Sequence, residues 1–286
     1  MTDERRQDAV LVALMASAAI HVALMLLVRS EVMTRPASGI AKPSHREPMR
    51  IVNRAQRPDP AKIEVMDLRG NLALFSVGDG RLTTVPGRPG DFECYPTWDP
   101  TGQLLFTCCA ETPFTNDVED VRIRTEKIVG AYTNMFYGVR VRRFDLATQT
   151  FSAPEVVIDG NSSRMSCAFP RISPDGRWMV LTVSRFGVFP IWHKSADLWL
   201  LDLKMLKVRP LDELNSQETE SWHEFSSNGK WMVFSTRRGD GTFTRPWIAR
   251  FDASTGRFDR PFPLPLEDPE DDFRQMKSYN LPTFLK

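Results

Sequence analysis

The spacing of apolar and polar positions changes twice along this chain. From Ala9 to Val28 it reads AVLVALMASAAIHVALMLLV, with no charge and no proline. At ~1.5 Å rise per residue, this run matches a hydrocarbon core of roughly 30 Å. It is apolar nearly all round, whereas a helix packed in a soluble core shows an apolar stripe. A cleaved leader has a shorter apolar stretch and a small-residue cleavage site. Here the run ends in Leu26, Leu27, Val28 and Arg29, so an uncleaved transmembrane helix is expected over 9–28 after a short N-terminus at 1–8. Residues 29–61 carry Pro36, Pro43, Pro48, Pro58 and Pro60 and no regular period. Such a segment is a semi-extended linker. From residue 62 onward, short runs of β-branched and aromatic residues alternate with turn residues, which predicts strands.

The strand-like part repeats itself. YPTWDPTGQLLFTC starts at Tyr95, FPRISPDGRWMVLT at Phe169 and WHEFSSNGKWMVFS at Trp222. Aligning Gly102, Gly176 and Gly229 also aligns Trp98, Ile172 and Phe225 and the apolar runs that follow. Each is a strand, a tight turn and a second strand. A second motif follows each hairpin: a strand, an Asp-containing turn and another strand, with Asp145, Asp202 and Asp252 in the turns. Asp67, in KIEVMDLRGNLALFSV, has a similar setting. Two hairpins in series make a four-stranded antiparallel blade, so the predicted fold class is an all-β propeller over 62–270 with a tail at 271–286. Four to five blades are visible, with the ring closed, open or completed by another subunit. Residues 113–137 interrupt the first clear repeat and are expected to form a lid or an extra strand pair.

The SPDGRWMV-type hairpin resembles the TolB-like, WD-repeat-like propeller repeat. FPRISPDGRWMVLTVSRFGVFPIWHKSADLWLLDL, ETESWHEFSSNGKWMVFSTRRGDG and the tail KSYNLPTF look like a group of periplasmic TolB-like proteins of Bacteroidetes-type bacteria. The resemblance covers roughly residues 80–286. It implies the fold but no single activity.

Composition narrows the function classes. The formal net charge is +1, which lacks the strongly basic face of a nucleic-acid binder. Eighteen Phe and seven Trp suit a β-rich core. The cysteines are Cys94, Cys108, Cys109 and Cys167, with no CxxC pair. Cys94 and Cys108 fall at the two ends of one predicted hairpin, so they pair as a disulfide in an oxidising compartment or serve as small buried hydrophobes.

Ser17 and His21 lie four apart within the apolar run and so share one helix face. An ionisable group in a membrane span is a functional candidate by default. The arrangement resembles the SxxxH motif in the anchors of the TonB and TolA energy-transducing proteins. That resemblance implies a proton-driven motor partner and a single-pass inner-membrane protein with a periplasmic C-terminal domain. Read alone, Arg29, Arg35, Lys42, Arg46 and Arg50 after the run argue for the opposite orientation. The linker is also much shorter than the spans of those two families.

Within the propeller, Thr97, Arg171 and Glu224 hold equivalent places on the three predicted innermost strands, and His223 precedes Glu224. With His193 they are candidates to line a channel mouth that binds a peptide, sugar or ion; the alternative is a hydrogen-bond network joining blades. Phe186, Phe189, Trp192, Phe243 and Trp247 are candidate loop aromatics for an interface, or packing between blades. There is no GxSxG, HExxH or phosphate-binding glycine loop. The expectation is therefore a non-enzymatic module that binds envelope proteins or glycans, with no cofactor, no metal and no catalytic residue. The alternative is a carbohydrate-active enzyme, because some polysaccharide lyases place several His around a metal on the same repeat.

Overall fold

The computed structural model describes residues 65–265, apart from 69, 79, 89 and 115–119, together with 274, 277–279 and 281–284. The apolar run at 9–28, with Ser17 and His21, and the linker at 29–61 lie outside the described residues. Among the described residues no helix is long and apolar enough to cross a membrane.

A short pair, β1 (Ala73–Phe75) and β2 (Leu82–Thr84), stands by itself as a two-stranded sheet. Among the described residues of 65–72 no strand is formed, and the start of the segment expected to repeat the motif around Asp67 lies outside the described residues.

The three aligned repeats fold as three antiparallel sheets. In the first, β3 (Asp91–Trp98), β4 (Leu104–Glu111) and β5 (Gly138–Asp145) are followed by β6 (Thr150–Phe151) and β7 (Glu155–Ile158), which both pair with β5. The second has the order β8 (Ser166–Ile172), β9 (Trp178–Ser184), β10 (Asp197–Asp202) and β11 (Lys207–Pro210). The third runs β12 (Glu220–Phe225), β13 (Trp231–Thr236) and β14 (Arg245–Asp252), with β15 (Arg257–Phe258) and β16 (Phe262–Pro263) both on β14. The inner strand β8 lies against both β3 and β12, so the sheets are successive blades. Three blades, not four or five, are present among the described residues, and no closed ring is formed by them.

Alternation along each strand decides which blades touch. In β9, Met179, Leu181 and Val183 face the first blade, in one apolar cluster with Phe106, Cys108 and Tyr137. Trp178 and Val180 face the third, with Leu198, Met232 and Phe234. Successive side chains on a strand point to opposite faces, so a middle blade must be apolar on both.

The turns carry the chemistry that the sequence predicted. Gly102, Gly176 and Gly229 have φ of +68°, +75° and +65°, a region that only glycine enters without steric cost. Their N–H groups donate to Asp99 O, Ser173 O and Ser226 O at 3.0, 2.8 and 2.9 Å. A Cβ on Gly229 would sit 3.3 Å from Pro174, and one on Gly176 would sit 3.6 Å from Pro100, so each turn rests on the turn of the preceding blade. Asp145, Asp202 and Asp252 cap their own turns by accepting from the following backbone N–H groups. Backbone bonds from Thr148 and Ala147 hold the Asp145 carboxyl below the usual range, and the Ser254 and Thr255 hydroxyls, followed by the Ser254 N–H, do so for Asp252.

The segment inserted in the first repeat is helical, not a strand pair. Its helix, α1 (Val121–Ala131), is capped by Asp120, which accepts from Arg122 N and Ile123 N. A 3₁₀ turn follows at Tyr132–Asn134, and a short helix, α2 (Gly160–Ser163), precedes β8.

All four cysteines are free and buried. Cys94 and Cys108 are directly opposite in the β3–β4 ladder, and the Cys94 thiol donates to Cys108 O at 3.5 Å. Burial raises both thiols well above the ordinary value. They act as small apolar residues.

Candidate functional site

Each inner strand is broken at the same place. The ladder shifts between Cys94 and Thr97, between Ala168 and Arg171, and between Ser221 and His223. These are bulges, which re-aim the side chains that follow them. Tyr95, Phe169 and Trp222 sit in the bulges with φ of 51°, 53° and 33°. A bulky residue at positive φ is an outlier that its surroundings must hold in place. Here the rings hold one another. Tyr95 packs on Phe169 at 4.7 Å between centroids, and Phe169 packs on Trp222 at 4.6 Å. The Tyr95 hydroxyl donates to Val188 O at 2.9 Å, and Phe189 meets Phe169 at 5.7 Å. The inner edge is therefore an aromatic column covered by the β9–β10 loop.

The column changes the picture for the predicted channel residues. Thr97 is buried and donates to Pro170 O at 2.7 Å, joining the first blade to the second. Arg171 donates to the same Pro170 O at 3.0 Å. Burial lowers its pKa, while Glu224 raises it from a distance without closing to an ion pair. The His223 side chain is buried, and its Nε2–H donates to Val180 O at 2.9 Å. Burial first, and then the Arg171 charge, lowers its pKa to about 3, so the ring is neutral and Nδ1 is the bare acceptor. His193 is buried in the β9–β10 loop against Phe186 at 4.8 Å, and its carbonyl accepts from Thr219 Oγ1 at 2.9 Å. Glu224 is adjacent to His223 on β12 and so faces the other side, where Thr283 Oγ1 donates to it. The five residues do not converge. Thr97 and His223 join blades, Arg171 bonds back to its own strand, and Glu224 looks outward. Among the described residues no three His, Cys, Asp or Glu side chains stand close enough to share a metal ion.

The loop aromatics divide. Phe186 meets Tyr132 at 5.7 Å, and Phe189 meets Phe169, so both pack the β9–β10 loop onto its neighbours. Trp247 lies beneath Arg238 at 4.4 Å and, with Glu213, Arg260 and Phe262, lines a cavity of ≈ 530 Å³. Phe243 carries the Arg245 guanidinium 5.7 Å from its ring. Trp192 is 38% exposed, with the Arg237 guanidinium 5.2 Å from its ring centre. Burial lowers the pKa of Arg237 although Asp240 and Glu218 oppose it from a distance, and its Nε has no acceptor among the described residues. Lys194 and Glu218 form an ion pair beside it at 2.9 Å. Strand directions place the loops β4–β5, β9–β10 and β13–β14 at one end of the blades and the tight glycine turns at the other. Trp192, Arg237 and Phe243 thus share the loop end.

Two acids escaped the sequence reading. Glu93 and Glu220 each lie two residues before a bulge aromatic and are buried. Glu93 pairs with fully buried Arg142. Glu220 accepts from Ser216 Oγ at 2.6 Å, Thr236 Oγ1 at 2.7 Å and Arg238 at 3.2 Å. The available signal was the Glu-x-aromatic pattern shared by ECY and ESW, which the second repeat breaks with Cys167.

No family model matches the chain, and no curated protein matches it. Solved structures do. TolB from Acinetobacter baumannii is similar over 66% of this chain and 37% of its own, at 19% identity and a TM-score of 0.39. An oligogalacturonate lyase in complex with manganese aligns over 68% and 49%, at 15% identity and 0.45. The β-propeller domain of the Trilobed protease from Pyrococcus furiosus aligns over 61% and 43%, at 14% identity and 0.33. The chain thus spans less than two thirds of the length of each of these proteins. Its structural neighbours are TolB-like β-propeller proteins, enzymes and non-enzymes among them, and the likeness is one of fold alone.

Proposed function

We propose that this protein is a non-enzymatic binding module, tethered by residues 9–28 to the inner membrane, whose propeller faces the periplasm and contacts envelope proteins or glycans at its loop end. One observation carries this reading. Arg237 is a half-buried cation whose Nε has no acceptor among the described residues, and it lies over an exposed Trp192. An exposed indole beside a guanidinium suits a ligand with an apolar or ring face and an acidic or hydroxyl edge. Tethering supports it through the charge-free apolar run and the Pro-rich linker.

The test compares the full chain with its Trp192→Ala/Arg237→Ala variant as bait for an envelope fraction. Removing a Trp or Arg anchor costs about 2 kcal/mol or more, about thirtyfold in affinity. The variant, with its thermal midpoint retained, should lose the material that the parent captures. Equal capture by both, or specific capture by neither, would refute the reading.

A further inference from the structure

The third blade has one face that looks away from the second. Register places Ser221 and Glu224 of β12, Val233 and Ser235 of β13 and Ile248 of β14 on it, opposite the apolar cluster formed with the second blade. Among the described residues no strand packs on this face. Val233 and Ser235 are nonetheless only 3% and 1% exposed. The described part of the chain's own tail is bonded to this face.

Among the described residues, hydrogen bonds to both ends of the tail seat it. Tyr279 N donates to Thr244 O at 2.8 Å, and Ser235 Oγ donates to Tyr279 O at 3.3 Å. Thr244 N donates to Ser278 Oγ at 3.2 Å, and Thr283 Oγ1 donates to Glu224. Two of these bonds use the tail's main chain, and the other two use hydroxyls at its two ends. Main-chain bonds to an extended segment supply affinity, and side chains at fixed positions supply selectivity. The apolar side chains of the tail contribute less, since Tyr279 and Leu281 stay 39% and 46% exposed. A segment whose larger apolar side chains stay this exposed is open to exchange.

We propose that this face is a peptide-binding groove, filled in cis by residues 277–279 and 281–284, which takes an extended segment of a partner protein carrying hydroxyl residues at the places of Ser278 and Thr283. The groove is a different surface from the loop end with Trp192 and Arg237, so the two readings stand or fall separately. A tethered segment competes at an effective concentration of about 1 mM. Where the tail's intrinsic dissociation constant lies well below that, the tether weakens a competing peptide by the ratio of the two.

The probe is a fluorescein-labelled synthetic peptide, KSYNLPTF, read by fluorescence polarisation against the full chain and against the chain ended after residue 276. The shortened chain should bind it at least tenfold more tightly than the full chain, and a scrambled peptide should not bind. Glu224→Gln with Ser235→Ala in the shortened chain should weaken binding at least tenfold. Should the shortened chain fail to fold, Ser278→Ala with Thr283→Ala in the full chain serves instead, because a loosened tail must also admit the peptide more tightly than the parent does. A shortened chain with unchanged near-ultraviolet circular dichroism that ignores the peptide, or binds the scrambled one equally, would overturn the proposal. So would a concentration-dependent dimer of the full chain that the shortened chain does not form, since the tail would then be exchanged between copies.

Discussion

His223 makes a sharp thermodynamic prediction. Its Nε2–H is committed to Val180 O, its Nδ1 has no partner among the described residues, and Arg171 opposes any added proton. The folded-state pKa is about 3, against an ordinary value of 6.5. The unfolded chain takes up a proton as pH falls below about 6.5, whereas the folded chain resists until pH nears 3. Stability therefore falls as pH is lowered through that window. With about 1.4 kcal/mol for each pH unit between the two pKa values, the loss from pH 7 to pH 5 is about 2 kcal/mol. His223→Gln keeps a donor for Val180 O and removes the titration. Urea midpoints of both proteins at pH 7 and pH 5 measure the difference. Asp197, whose carboxyl is raised to about 6 by burial and then by Glu220 and Asp212, acts in the opposite direction but equally in both proteins, so it cancels. The parent should lose about 2 kcal/mol more than the variant on acidification. Parallel losses would refute the buried, neutral imidazole.

Three other outcomes are expected. Glu93→Gln strands the fully buried Arg142 and should cost about 3–5 kcal/mol in urea unfolding, whereas methionine at both positions should recover most of it. Gly256→Ala should cost about 3 kcal/mol, because φ is +69° there and a Cβ would lie 2.5 Å from the Trp178 ring; calorimetry should show a midpoint lower by about 6–12 °C. Cys94 and Cys108 should resist a thiol reagent at pH 8 until the chain unfolds, since both are buried with raised pKa values; fast labelling in native buffer would contradict that packing.

What could be read in the linear chain was whatever depends on near neighbours. Gly102, Gly176 and Gly229 announced their turns because the positive φ is a property of the residue itself. Asp145, Asp202 and Asp252 announced theirs because each caps backbone N–H groups two or three residues ahead. The repeat of the two hairpins was enough for the blades. The inserted helix was missed because its polar, weakly patterned segment resembles a loop, and Asp120 marks its start without an apolar stripe to follow.

The fate of the candidate side chains was settled only in three dimensions. Thr97, Arg171 and Glu224 are equivalent in sequence, yet Thr97 and Arg171 both reach Pro170 O while Glu224 receives the tail. The cause is the bulge at Tyr95, Phe169 and Trp222, which rotates the residues after it toward a blade face instead of a shared channel. His223 and Glu224 are neighbours in the chain but opposite in the sheet, since strand side chains alternate. Local turn chemistry and periodicity thus determined the strands and their order. Which polar groups meet, which are buried and which remain for a ligand depended on contacts between residues far apart along the chain, whose energies no short window of sequence contains.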